Sequence, residues 1–386
     1  MENFVYQNPT RLLFGKGMES RVGGEVKAYQ KVLLHYGEGS IKRSGLYDRV
    51  TQSLREAGVE YIDLPGVRPN PLLDLVHEGV RLCREHGVQL ILAVGGGSVI
   101  DSAKAIAMGA LYDGDVWDFY TNKAQCKAAL PVGVILTIAA AGSESSDSTV
   151  LSRDEGQLKR PYGSPLLYPK FAILNPELTY TLPAYQTACG IADITAHLLE
   201  RYFTQTPRVD LSDRLIEATQ KTIQAFGPRA VANPEDYEAR AEIMWAGTLA
   251  HNGLFGMGRL ADWGSHMIEH EISAIYNVAH GAGLAVVFPA WMKYVCGLNL
   301  PRFTQFAMRV WDVDLALGDP ERIALEGIER QKRFFKGLGL PVSLADLKIG
   351  GERLEEMAAK GTTYGTLGNF KKLDKDDIVS ILKLAL

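Results

Sequence analysis

The stretch Gln89–Lys104, QLILAVGGGSVIDSAK, decides the fold. Gln89–Val94 is a short, mostly apolar run of the length of a buried strand. Three glycines follow, Gly95, Gly96 and Gly97, and then a helical pattern opens at Ser98. Without Cβ atoms the backbone can approach an anion closely. Ser98 is placed to cap the new helix, whose free N–H groups would point at whatever the glycines hold. A phosphate there gains roughly 0.3–1 kcal/mol at an exposed site. The full GxGxxG fingerprint is absent, so a tight strand–helix turn with no ligand is the plain alternative.

Outward from this turn the pattern repeats. Lys31–His35 reads as a first strand, Leu46–Ala57 has helical periodicity, and Val59–Leu64 is a second strand. Pro69-Asn70-Pro71 breaks the chain before a helix running to about His86. Pro131–Ile138 is a fourth strand and Phe171–Leu174 a later one. Strands separated by helices imply βαβ units in a parallel sheet, with ligands beyond the carboxyl ends of the strands. The first strand exits into Gly37-Glu38-Gly39-Ser40 and the fourth into Thr137–Ser146, TIAAAGSESS, both small-residue loops on the same expected edge. Gly15-Lys16-Gly17 lacks the spacing of a P-loop and reads as a turn.

From about Pro183 the pattern becomes helical. Amphipathic stretches cover Pro183–Phe203, Leu211–Phe226, Tyr237–Leu254, Asp262–Tyr276, Gly283–Val295, Pro301–Trp311 and Glu321–Lys336, with two more near Glu352–Lys360 and Lys375–Leu384. Breakers such as Pro228 and Asn233-Pro234 separate them. The expected architecture is an α/β dinucleotide-binding domain with a parallel sheet over residues 1–181, followed by an all-α domain over 182–386.

A chain of 386 residues suits two domains. Its 46% hydrophobic and 22% charged content is that of an ordinary soluble protein. A net charge of −4 and a pI near 6.1 give no reason to expect nucleic acid or an anionic membrane as partner. Apolar runs such as Leu284–Ala290 are far short of a membrane span, and the first residues, MENFVYQNPTR, lack a signal-peptide pattern. Cys83, Cys126, Cys189 and Cys296 are scattered, as expected of reduced thiols in the cytoplasm.

The densest chemistry lies in Asp262–Gly283, DWGSHMIEHEISAIYNVAHGAG, which holds three of the eight histidines. His266 and His270, four apart, share a helix face, and His280 follows the helix. Asp193 and His197 in GIADITAHLLE have the same i,i+4 spacing, which suits chelation or a buried hydrogen-bonded pair. One carboxylate and several imidazoles suit zinc or iron(II). Spacing leaves open which of the three histidines stays off the metal, and by itself favours His266 with His270. His251 reads as a packing or hydrogen-bonding group, His35 as a strand-end residue, and His77 and His86 as surface positions. Trp245, Phe255, Trp263 and Trp291 read as core.

Taken together, these residues resemble the iron-containing (group III) alcohol dehydrogenases, and within them the butanol dehydrogenase-like aldehyde reductases. The resemblance runs through Asn8–Gly17 (NPTRLLFGKG), GGGSVIDSAK, AGSES (Ala141–Ser145), Pro169–Pro183 (PKFAILNPELTYTLP), Gly190–Glu200 and Asp262–Gly283. It implies a dehydroquinate synthase-like architecture with the active site in the cleft between two domains. It assigns a divalent metal, Fe2+ or Zn2+ with Mn2+ as a further option, to Asp193, His197, His266 and His280. His270 is left as a candidate for proton transfer or substrate contact. Contacts to NAD(P)(H) are implied for Gly37, Ser40, Gly95, Gly96, Gly97, Ser98, Asp101, Thr137 and Lys159. Ala141 stands where relatives usually place Thr, and Ser146 where close relatives often have Asn. Gly37 permits a 2′-phosphate where NAD-preferring relatives tend to carry Asp, and Glu38 works against one. The implied reaction is reversible hydride transfer between NAD(P)(H) and a small primary alcohol or aldehyde, by a cytoplasmic homodimer. The rival readings are an NAD- and metal-dependent lyase of the dehydroquinate synthase type, which would need more Lys and Arg near the metal than Arg201 and Arg259, a metallohydrolase, which would need no cofactor loops, and a non-catalytic nucleotide-binding module, which would leave the metal quartet without a purpose.

Overall fold

The structure, a computed structural model, describes residues 1–386 apart from the side chain of Leu317. The chain divides into two compact units, Gln7–Leu182, and Pro183–Leu386 together with Met1–Tyr6.

The α/β unit begins with β1 (Arg11–Phe14), α1 (Val22–Val26), β2 (Lys31–Gly37), α2 (Ser40–Arg43), α3 (Leu46–Glu56), β3 (Glu60–Val67), α4 (Leu73–His86) and β4 (Leu90–Gly95). It continues with α5 (Gly97–Gly109), α6 (Trp117–Tyr120), β5 (Val132–Leu136), β6 (Ser148–Arg153), β7 (Leu158–Gly163) and β8 (Phe171–Leu174). Six strands form one parallel sheet in the order β1-β8-β5-β4-β2-β3. Strand β4 is central and buried along its whole length, which is why LILAVG carries no polar side chain. Val32, Leu34, Leu92, Val94, Ile135 and Ile173 form part of the core on one side of the sheet. Burying each such side chain contributes about 1.5–3 kcal/mol. Because the strands run the same way, the exits of β2, β4 and β5 stand side by side. Gly37, Gly95 and Thr137 therefore meet at one edge.

The helical unit comprises α7 (Ala184–Tyr202), α8 (Asp210–Ala232), α9 (Tyr237–His251), α10 (Gly264–Tyr276), α11 (His280–Val295), α12 (Leu300–Trp311), α13 (Pro320–Gly337), α14 (Leu354–Gly361) and α15 (Lys375–Leu384). Helix α7 is its axis, packed on α8, α9 and α11 and buried almost throughout. The first residues join this unit: the Met1 ammonium donates to Pro207 O at 3.0 Å, and Glu2 N to Gly258 O at 2.9 Å.

Several local expectations are corrected. Ser98 does not cap α5; the helix already starts at Gly97 with Gly96 as N-cap, so Ser98 lies inside the first turn. Pro228 does not end a helix, because α8 continues through it to Ala232. Packing of α8 on α7, α9 and α12 outweighs the one lost backbone hydrogen bond. Helix α11 starts three residues earlier than its periodicity suggested, at His280. The apolar stretch His280–Trp311 is long enough by length and composition to cross a membrane, but 78% of its apolar window is buried, as a core helix requires. Trp245, expected in the core, is 41% exposed, whereas Phe255 and Trp291 are buried. Strand β1 and the antiparallel β6–β7 hairpin had no sequence signal.

His35 is not at a strand end but inside β2, fully buried. Its Nδ1 is 2.8 Å from Leu64 O and its Nε2 2.8 Å from Ser102 Oγ, which ties β2 to β3 and α5. Burial pushes its pKa down to about 4, against a smaller upward pull from the Leu64 carbonyl. Between that value and the unfolded value of 6.5 the unfolded chain binds more protons. The contribution of neutral His35 is therefore whole above pH 6.5 and falls away as the pH drops towards 4, by about 3 kcal/mol in all. We expect the urea midpoint to fall more steeply over this range in the wild type than in His35→Gln; parallel slopes would refute the assignment.

Candidate metal centre and nucleotide turn

Helix α7 presents Asp193, His197 and Glu200 on one face, four and three residues apart. Helix α10 brings His266, and His280 is the first residue of α11. The ligand atoms of Asp193, His266 and His280 lie within 4.8 Å of one another. Asp193 Oδ1 is 3.7 Å from His197 Nε2, 3.9 Å from His266 Nε2 and 3.7 Å from His280 Nε2. These spans are too long for hydrogen bonds. Ligands about 2.1 Å from a shared ion stand roughly 3–3.5 Å apart, so a small contraction would seat one.

The donor set fits a cation on its own evidence. Asp193 Oδ1 and His266 Nε2 are buried and have no hydrogen-bond partner among the described residues. Burial opposes a charged His266 ring, but Asp193 and Glu200 outweigh it and raise its pKa to about 9. The pocket thus draws positive charge onto one imidazole. Burial, with His251 and His266 alongside, holds His197 well below its usual value, keeping a neutral ring.

Two carboxylates missed in the sequence orient these rings. Glu200, 0% exposed, accepts from His266 N at 3.1 Å and faces His266 Nδ1 at 2.7 Å, while its other oxygen accepts from Trp263 N at 2.5 Å. It thereby satisfies N–H groups at the start of α10, whose own N-cap residue, Trp263, makes no side-chain cap. Asp262 completes the end by accepting from Gly264 N at 3.0 Å. Glu269 contacts His280 Nδ1 in the same manner, turning Nε2 towards Asp193. Glu269, His270 and His280 also lie close enough to hold a cation. The Glu269–His280 contact instead makes this group the support of the first one. His270 is buried with its ring 5.6 Å from His280. His251, read as a packing residue, sets its ring 4.2 Å from that of His197. Glu200 was findable as the next same-face carboxylate after Asp193 and His197; Glu269 offered only its place beside His270. Glu200→Gln should lower metal affinity about 10–100-fold in a chelator competition, and a value within twofold of wild type would sink this role.

In the α/β unit, Gly95 ends β4, Gly96 is the N-cap of α5, and Gly97 and Ser98 form its first turn. No side chain among the described residues caps this helix, so its first N–H groups are available to an anion. A Cβ on Gly96 would lie 2.0 Å from Ile138 Cγ2, so glycine is needed here to let the β5 exit loop close on the turn. Thr137 N donates to Gly95 O at 3.1 Å. Gly37 closes β2 and Ser40 opens α2 on the same edge. Asp101 directs both carboxylate oxygens into the protein, accepting from Ser143 Oγ at 2.6 Å and Val150 N at 2.9 Å. Lys159 is buried in β7.

A parallel nucleotide-type sheet and an aspartate–histidine cluster able to hold a metal, in one chain, are the combination expected of a metal-assisted, dinucleotide-dependent enzyme. Comparison with known proteins agrees. The model of the iron-containing alcohol dehydrogenase family matches residues 9–176, and that of the Fe-containing alcohol dehydrogenase C-terminal domain matches 187–386. The chain belongs to the iron-containing alcohol dehydrogenase family. It is 47% identical over 387 residues to a probable NADH-dependent butanol dehydrogenase 1 of Bacillus subtilis, covering 100% of both chains. It is 37% identical to the NADPH-dependent aldehyde reductase YqhD of Escherichia coli, covering 95% of this chain and 94% of that one. The crystal structure of NADH-dependent butanol dehydrogenase A from Thermotoga maritima superposes with a TM-score of 0.97 at 42% identity, covering 100% of this chain and 99% of the other. The oxidoreductase reading is thus favoured over the lyase and hydrolase readings.

Proposed function

We propose that this protein interconverts small primary alcohols and aldehydes by hydride transfer with NAD(P)(H). The observation that carries the reading is the convergence of Asp193, His266 and His280 on one buried point, with His197 beside them. When bound, a divalent metal, iron by family, supplies Lewis acidity to the substrate oxygen, and the nicotinamide ring carries the hydride.

The chain's own residues do the remaining work. Glu200 and Glu269 fix the His266 and His280 rings, so no reorganisation is needed when charge develops nearby. Burial of Asp193, His197 and His266 shields that side of the centre from bulk water, with His280 on its open side. His270, buried next to His280, is placed to hold or pass the substrate proton. The uncapped turn Gly95–Ser98 takes the dinucleotide phosphates, with Gly37, Ser40, Asp101, Thr137 and Lys159 shaping that edge. We further propose a cytoplasmic location, in keeping with four free cysteines, three of them buried, and a homodimeric state. The test is a steady-state aldehyde panel with NADH and NADPH on metal-stripped protein, with iron, zinc or manganese restored. Absence of NAD(P)H oxidation in every combination would overturn the reading.

A further inference from the structure

Lys104 lies two turns into α5 and is 0% exposed. Its Nζ donates to Ser143 O at 2.7 Å, Ser146 O at 2.9 Å and Ser148 O at 2.8 Å, and lies 2.9 Å from Ser143 Oγ. An ammonium has three protons, and three carbonyls take them. Burial pushes the Lys104 pKa down to about 8, while Asp101, Asp147 and Glu144 pull it back up. One turn earlier, Asp101 holds Ser143 Oγ and Val150 N, and its carbonyl accepts from Thr149 Oγ1 at 2.9 Å. Two side chains of one helix thus fasten the chain from 143 to 150. An apolar residue would avoid desolvating a charge but would leave the three carbonyls of the loop without a donor. The ammonium is therefore what holds the loop where it lies.

The fastened segment continues from Thr137–Gly142, which closes on the glycine turn: Thr137 N bonds Gly95 O, Ile138 fills the space beside Gly96, and Ala141 meets Gly97. The strap 137–150 thus runs from the first turn of α5 to Lys104 along the same helix. We propose that Lys104 is a positioning residue for dinucleotide binding: its ammonium, which never reaches the cofactor, holds the strap in register over the phosphate turn. This rests on the nucleotide-dependent reading above.

The test uses the metal-loaded full chain and NADH as probe. Lys104→Met is expected to raise the NADH dissociation constant about 10–100-fold. Metal content should be unchanged, and kcat at saturating NADH should stay within about threefold. A melting temperature that falls while NADH affinity stays within twofold would mark Lys104 as merely structural and overturn the proposal. Ser143→Ala removes one hydroxyl from the same fastening and should weaken NADH binding by a smaller factor, with the double variant no weaker than Lys104→Met alone. Additive losses would overturn it, and if Lys104→Met does not fold, unchanged NADH affinity in Ser143→Ala does so. Wild-type protein that binds neither NADH nor NADPH would instead refute the nucleotide-dependent reading itself.

Discussion

His266→Ala should lose its metal and about a thousandfold or more of kcat/KM together. The imidazole is held from behind by Glu200 and faces Asp193 Oδ1. Its removal takes away one ligand and leaves two buried carboxylates without the group between them. Stranding a buried charge typically costs about 3–5 kcal/mol, so the melting temperature should fall as well. NADH binding should persist, because Gly95–Ser98 and the strap belong to the α/β unit. Metal content by elemental analysis, kcat/KM and NADH fluorescence separate these effects. Stoichiometric metal with wild-type turnover in His266→Ala would reject the centre.

Gly281→Ala should be nearly as damaging although it adds a single methyl group. A Cβ there would sit 1.9 Å from Cys189 O and 2.6 Å from Cys189 C, and these backbone atoms of α7 cannot rotate away. Helix α11 would have to retreat, carrying His280, the residue before it, off the centre. We expect a loss of about 1–3 kcal/mol or more, and a metal affinity reduced at least tenfold because a ligand misplaced by an ångström no longer fits. Gly337→Ala is the control. It lies at the end of α13 with nothing within 4 Å of its Cβ, and should be neutral or stabilising by about 0.5–1 kcal/mol. Equal melting temperatures and metal content for Gly281→Ala and wild type would refute the close-approach argument.

Legibility followed the range of the signal. The alternation around QLILAVGGGSVIDSAK, and the strand Phe171–Leu174, could be read because length and apolar character mark buried parallel strands. Strands β6 (STVLSR) and β7 (LKRPYG) could not. They are polar, β7 carries Pro161, and they hold as a hairpin because they pair with each other while β6 lies against α5 and β7 against α6. Pro228 and Trp245 misled for the same reason: a breaker inside a well-packed helix is tolerated, and an aromatic side chain does not tell which face of its helix turns outward. Glu269 looked like an ordinary helix charge, and Glu200 offered only its place on the Asp193–His197 face; their complete burial against histidine rings sets both apart.

The sequence by itself determined the parallel α/β unit, the helical unit and the i,i+4 pairing of Asp193 with His197. Each of these is a matter of period and turn chemistry within a few residues. Tertiary structure decided the rest. Spacing favoured His266 with His270, since they share a helix face, yet the fold turns His266 Nε2 and His280 Nε2 to Asp193 and leaves His270 beside them. That choice depends on how closely α11 approaches α7 at Gly281, and on which ring nitrogen each buried glutamate holds. No local pattern encodes either: Gly281 meets Cys189 and His266 meets Glu200 across segments far apart in the chain, and even Glu269 reaches His280, eleven residues on, only because α10 and α11 pack together.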